Sequence, residues 1–182
     1  MNLEKNSYLV PPVQEKSGLK RYDMITKHLS IDYTEYASVD EMTPQDQALV
    51  AAAIEAQKGS YSPYSHFQVG AAVRLEDGTI VPGANQENSA YPSGLCAERT
   101  AMFAASATHP GVAFEAIAIA ASDHGHPCED PATPCGGCRQ VMAQYQHKFG
   151  RPIEIILAGT GKIQKFSKVD DIMPFIFDSL ND

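Results

Sequence analysis

Cys96-Ala97-Glu98 and Pro134-Cys135-Gly136-Gly137-Cys138 gather three thiols and one carboxylate into two short motifs. Three thiolates can hold a zinc ion and leave its fourth position to water, while a carboxylate two residues from a ligand stays free to move protons. The chemistry this set offers is hydrolysis, with a metal polarising water and Glu98 working as acid and base. A lone Cys-x-x-Cys is a weak signal, because redox pairs and structural zinc knuckles share it. A Cys-x-Glu element joined to it, each at the start of a predicted helix, is far more specific.

Position within those helices matters. Cys135 and Cys138 stand three residues apart in a first helical turn, so they share a face. Unpaired backbone N–H groups and the helix dipole favour thiolates there. Arg99 follows Cys96 by three positions and is expected to hydrogen-bond the sulfurs, offsetting their negative charge. The plainer alternative is a surface arginine paired with some carboxylate. Glu98 alone would read as a helix-start glutamate favoured by the dipole, and the sulfurs beside it decide against that reading. His124-Gly125-His126-Pro127-Cys128 also has ligand-like spacing. It falls in a predicted loop and lacks a second cysteine three residues on, so Cys128 reads as an inert thiol.

Several elements must position these groups. Thr43-Pro44 gives a helix cap followed by proline at the first helical position, and Ala48, Leu49, Ala52, Ala53 and Ala56 recur at helical spacing to about Lys58. Phe67 to Leu75 and Thr79 to Ala84 read as strands joined by a Glu76-Asp77-Gly78 turn. Asn85 to Gly94 is a polar loop, Cys96 to Ala107 a helix, and Phe114 to Ala121 a buried strand. Ser122 to Ala132 reads as a long loop. Thr133-Pro134 predicts a second capped helix running to about Phe149 and closed by Gly150. Ile153 to Ala158 and Ile163 to Ser167 are strands, and a helical turn follows between Val169 and Phe177. The order predicts one mixed sheet with helices on its faces. Residues 1–43 read as a partly ordered N-terminal arm with one short strand near Leu29 to Tyr36, and residues 44–182 as the catalytic domain.

Bulk properties narrow the function class. The 182 residues are enough for one domain with a sizeable core. A net charge of −8 disfavours long nucleic acid and heavily anionic substrates; small neutral ligands fit better. No run of about 18 apolar residues is present, so no membrane partner is expected. The first residues lack the basic stretch and apolar core of a secretory signal, so the expected location is cytoplasmic. Four cysteines, three of them in the motifs, suit metal binding better than a disulfide framework.

From about Asp46 onward, roughly three quarters of the chain resembles the small zinc-dependent cytidine deaminases. The resemblance rests on Ser62-Pro63-Tyr64-Ser65-His66-Phe67-Gln68-Val69-Gly70, Asn85-Gln86-Glu87-Asn88, Cys96-Ala97-Glu98-Arg99-Thr100-Ala101 and Pro134-Cys135-Gly136-Gly137-Cys138-Arg139-Gln140, four blocks in the family's order. It implies an α/β fold, a three-layer α/β/α sandwich around a mixed five-stranded sheet. It implies one Zn²⁺ per subunit on Cys96, Cys135 and Cys138, with Glu98 shuttling protons. By the same resemblance, Asn85 and Glu87 hold the ribose 3′-hydroxyl, Phe67 packs on the pyrimidine, and the backbone at Ala97 faces the base's carbonyl and amino edge. Tyr91 and Phe177 match residues that help build a neighbour's site in tetrameric members. A homotetramer is therefore expected, with a dimer as the alternative. Phe177 is followed by Asp178-Ser179 where the family often has Gly-Pro, which leaves its stacking role open.

The implied reaction is deamination of cytidine and 2′-deoxycytidine to uridine and 2′-deoxyuridine in pyrimidine salvage. One competing reading keeps the chemistry and changes the substrate to a free base or an aminated nucleoside such as blasticidin S. Another is a non-catalytic zinc module, which predicts a closed fourth coordination position and indifference to loss of Glu98.

Overall fold

The computed structural model describes residues 25–177. The chain divides at Ser30/Ile31 into two compact units. Of the first, residues 25–30 are described, exposed and without regular secondary structure. The expectation made for the first twenty residues lies outside the described residues.

The second unit begins with strand β1 (Thr34–Tyr36), shorter than the one expected near Leu29 to Tyr36. Helix α1 (Pro44–Ala56) starts where the cap signal placed it, with Thr43 Oγ1 accepting from Asp46 N at 3.2 Å. Strands β2 (Phe67–Leu75) and β3 (Ile80–Ala84) form the expected hairpin, and Gly78 takes the left-handed turn position at φ 87°. Helix α2 (Ala97–Thr108), strand β4 (Phe114–Asp123), a two-residue strand β5 (His126–Pro127) and helix α3 (Gly136–Phe149) follow. Strands β6 (Glu154–Ala158) and β7 (Ile163–Phe166) complete the sheet, and a 3-10 turn spans Val169–Asp171.

The sheet runs β1-β7-β6-β4-β2-β3, with β5 also paired to β4. The β4–β6 pair is parallel and the others are antiparallel, so the sheet is mixed. Five main strands carry it, extended by the short β1 and β5. The α3 crossover is what permits the parallel pair.

Side-chain alternation along β4 explains the layers. Ile117 and Ile119 point into one core with α2 and α3, beside Met102, Met142, Ile155 and Leu157, and a bulge opposite Arg74/Leu75 turns Phe114 to the same side. Ala116, Ala118 and Ala120 point the other way, into a core with Leu49, Val50 and Ala53 of α1. Small residues on that face let α1 lie close. Gly70 in β2 takes the contact further, since a Cβ there would stand 2.0 Å from the carbonyl oxygen of Ala53. Gly83 in β3 does the same for α2, where a Cβ would meet Ala101 N at 2.4 Å. Both helices thus come as near the sheet as backbone allows.

Two sequence expectations need correction. The loop expected over Ser122 to Ala132 is partly strand. β4 continues to Asp123, and a turn with His124 at φ 48° and Gly125 at φ 80° folds β5 back onto it. The helix expected from the Thr133 cap starts later, at Gly136, and its N-cap is Cys135. Arg139 explains the delay. Its Nε donates to the Pro134 carbonyl at 2.8 Å, occupying the acceptor that a helix begun at Pro134 would offer to the Cys138 N–H, while its backbone N–H makes the ordinary first helical bond to the Cys135 carbonyl at 3.0 Å.

Candidate metal centre and active site

Cys96 caps α2 and Cys135 caps α3, and neither sulfur makes a capping bond to its helix's backbone. Both sulfurs thus sit at helix N-termini, where orphan N–H groups and the dipole favour negative charge. Cys138 lies one turn into α3 and is fully buried. The Sγ atoms of Cys96, Cys135 and Cys138 lie within 4.8 Å of one another. Sulfurs sharing a tetrahedral zinc at bonds of about 2.3 Å stand about 3.8 Å apart, so little movement would seat the ion. No other such group of metal ligands occurs among the described residues, and the His124 to Cys128 segment supplies none.

The sulfurs are electrostatically linked. A hydrogen bond from the Cys138 thiol, helped by the Arg99 guanidinium, holds the Cys96 thiol down at about 5 against the opposing effect of burial. The same bond, together with burial, pushes the Cys138 thiol up. Arg99 Nη2 donates to Cys96 Sγ at 3.7 Å. Its Nε is buried with no hydrogen-bond partner, an unusual state for such a group and a sign of a further negative neighbour in the site. Three convergent sulfur donors fit a thiophilic divalent cation such as zinc.

Glu98 is 4% exposed. Burial, followed by the charge of Cys96, holds its carboxyl above the usual carboxylate range. No cation is paired with it in the structure's ion pairs among the described residues.

These groups open on a cavity of about 440 Å³, within the range of small-molecule sites. Phe67, Val69 and Ile119 give it apolar walls; Asn85, Glu87 and Tyr91 line its outer part; Cys96, Ala97, Glu98, Arg99 and Cys135 form its inner end. Residues 97 and 98 open α2, so their N–H groups have no intrahelical acceptor. Phe177 does not line the cavity and is exposed, as is Tyr91 at 78%.

Asn85 and Glu87 are held by their own loop. Asn85 Oδ1 accepts from Ser60 Oγ at 2.5 Å and Val69 N at 2.8 Å, while Nδ2 donates to the Phe67 carbonyl at 2.9 Å. Glu87 Oε2 accepts from Tyr64 N at 2.9 Å and Ser65 N at 3.3 Å. Ser60 escaped the sequence reading because a lone serine in a turn-rich loop carries no periodic or motif signal. A larger cavity, about 780 Å³, lies beside α1 and has Cys128 as its one titratable wall residue. It is remote in kind from this chemistry.

Comparison with known proteins agrees with the geometry. Residues 43–149 match the cytidine and deoxycytidylate deaminase zinc-binding region. Cytidine deaminase of Sporosarcina psychrophila is 48% identical over 100 residues, covering 54% of this chain and 68% of that protein. The crystal structure of cytidine deaminase from Burkholderia pseudomallei superposes with a TM-score of 0.63 at 40% identity, covering 75% of this chain and 100% of that one. That of Mycobacterium tuberculosis gives 0.57 at 32% identity, covering 72% and 96%. With a three-cysteine centre, a buried free acid and this match across more than half its length, the chain belongs to the cytidine and deoxycytidylate deaminase family, as a zinc-binding cytidine deaminase of the small type.

Proposed function

We propose that the protein hydrolyses the 4-amino group of cytidine and 2′-deoxycytidine, giving uridine or 2′-deoxyuridine and ammonia. The observation that carries this reading is a buried carboxylate, outside every ion pair among the described residues, that opens into the same cavity as two of three convergent sulfurs. Cys96, Cys135 and Cys138 hold the zinc ion, which when bound polarises water for attack at C4 of the base. Glu98 would take one proton from water and deliver it to N3 as oxygen adds to C4, then take the remaining O–H proton of that adduct and pass it to the departing amine. The C4–O bond forms first, making C4 tetrahedral; the C4–N4 bond then breaks as the C4=O double bond forms, and ammonia leaves. A carboxyl held above its ordinary range suits a group that must both accept and give a proton near neutral pH.

Binding follows from the cavity walls. Phe67, Val69 and Ile119 suit a flat uncharged ring. The N–H group at Ala97 can donate to a polar atom on the base edge. Glu87 Oε1 and the second N–H of Asn85 Nδ2 remain for a sugar hydroxyl, which donates to the first and accepts from the second. Among the described residues lining the cavity, Arg99 is the one cation, and it is engaged with Cys96. That engagement favours a nucleoside over a nucleotide. Exposed Tyr91 and Phe177 suit a homotetramer in which each serves a neighbour's site. Free cysteines suit a cytoplasmic setting.

The test follows product formation by ultraviolet absorbance, with zinc content measured on the same sample. Cytidine and 2′-deoxycytidine should be converted, with dCMP, cytosine and blasticidin S at least tenfold poorer in kcat/KM. Preference for any of those three would overturn the substrate assignment, and full turnover by metal-free protein would overturn the zinc assignment. Light scattering that shows an active monomer would remove the role given to Tyr91 and Phe177.

A further inference from the structure

The helix that carries two of the sulfurs also carries most of the bonds that hold the C-terminal segment. Arg139, next to Cys138, spans both. Its Nε donates to the Pro134 carbonyl, immediately before Cys135, and its Nη1 donates to the Ile172 carbonyl at 2.7 Å. Gln140 Nε2 donates to the Phe177 carbonyl at 2.5 Å. Further along α3, Gln146 Oε1 accepts from Val169 N at 3.0 Å, and its Nε2 donates to Asp170 Oδ2 at 2.7 Å. Val169 is fully buried, and Ile172, Met173 and Ile176 pack against the core that contains Cys138 and Met142. The segment is thus bonded to α3 at both ends, and one guanidinium joins it to the ligand turn.

We propose that Arg139 is a positioning residue that couples the turn presenting Cys135 and Cys138 to the segment Ile172–Phe177, so that metal loading and order of that segment reinforce each other. The inference rests on the assignment of the three cysteines to zinc. A planar fork meets two carbonyls that face it from different elements; a lysine at this position reaches one of them. Loss of the fork frees the Pro134 carbonyl and lets the helix start shift toward the Thr133-Pro134 cap written in the sequence, which moves Cys135 relative to Cys138. Coupling is reciprocal, so whatever orders the ligand turn must order the segment by the same factor.

The test uses the full-length, zinc-loaded protein and its Arg139→Ala, Arg139→Lys and Gln140→Ala variants. Two quantities are read: zinc release to a chromogenic chelator, and amide hydrogen exchange over residues 172–177 with and without zinc. In the parent, zinc removal should speed exchange there about tenfold. Arg139→Ala should release zinc about tenfold faster and show rapid exchange that no longer responds to zinc. Arg139→Lys should fall between, which keeps the test decisive if the alanine variant does not fold. Gln140→Ala should speed exchange near Phe177 and leave zinc release unchanged. Parental zinc release with zinc-responsive exchange in both Arg139 variants would overturn the coupling. A parent that binds no zinc would instead overturn the metal assignment, so the two failures are distinguishable.

Discussion

Two buried carboxylates sit on opposite faces of the sheet and have opposite surroundings. Asp46 in α1 is 2% exposed and Glu98 in α2 is 4% exposed. Asp46 accepts from Arg74 Nη1 at 2.9 Å and Lys165 Nζ at 2.8 Å, and the same cations reach Glu115 and Glu154. Burial alone would raise the Asp46 carboxyl, but the hydrogen bonds and charges of Lys165 and Arg74 outweigh it and hold it below its ordinary value. Glu98 has no such partner, and burial leaves it raised. The difference separates structure from chemistry. A neutralised acid locks α1 to β2 and β7, while a buried acid outside any ion pair among the described residues is suited to proton exchange at working pH.

Substitution tests that contrast from its largest effect downward. Glu98→Gln should retain zinc and fold while kcat falls by about 10²–10⁴-fold, the range of a general acid–base group. Activity near the parent's would end the proton-transfer role. Arg74→Met leaves Asp46 short of a cation in the interior, and should cost about 3–5 kcal/mol in denaturant unfolding. The folded fraction should keep the parent's KM. A cost under about 1 kcal/mol would show that the cluster is solvated and the contrast false.

Glu87→Gln removes a charged acceptor from the outer cavity and should raise KM for cytidine about tenfold, on the order of 1.5 kcal/mol for a hydrogen bond to a charged group. Unchanged KM would release Glu87 from sugar binding.

The pH dependence should separate the two acids most finely. Folded Asp46 holds its proton less tightly than the unfolded chain, whose ordinary value is 3.8. Its contribution is therefore present above about pH 4 and lost as pH falls through the folded value. Folded Glu98 holds its proton more tightly than an ordinary glutamate at 4.5. Its contribution is present below that value and lost as pH rises through the folded one. Urea midpoints should show the acid loss shrinking in Asp46→Asn. Glu98→Gln should be at least as stable as the parent at pH 8, and a less stable variant there would show that ionised Glu98 has a partner.

Legibility in the sequence followed the range of the interactions. Thr43-Pro44 announced α1, Glu76-Asp77-Gly78 announced the hairpin, and Gly150 closed α3 at φ 63°, because each acts within a few residues. The Thr133-Pro134 signal was of the same local kind and misplaced the helix start. A side chain five residues on, Arg139, takes the Pro134 carbonyl for itself. β5 was missed because two residues, His126 and Pro127, carry no periodicity.

Local spacing by itself determined that three thiols and one acid belong to one chemistry, since ligand type and helix-start position are properties of a few neighbouring residues. It also determined the alternation along β4 that separates a bulky face from an alanine face. Tertiary structure alone decided that Asp46 meets Arg74 and Lys165 while Glu98 enters no ion pair among the described residues. Those partners lie 28 and 119 residues away from Asp46, and burial and pairing are set by which distant strands the helices cover. For an acid in a low-dielectric interior, that covering decides whether it is a strut or a proton carrier.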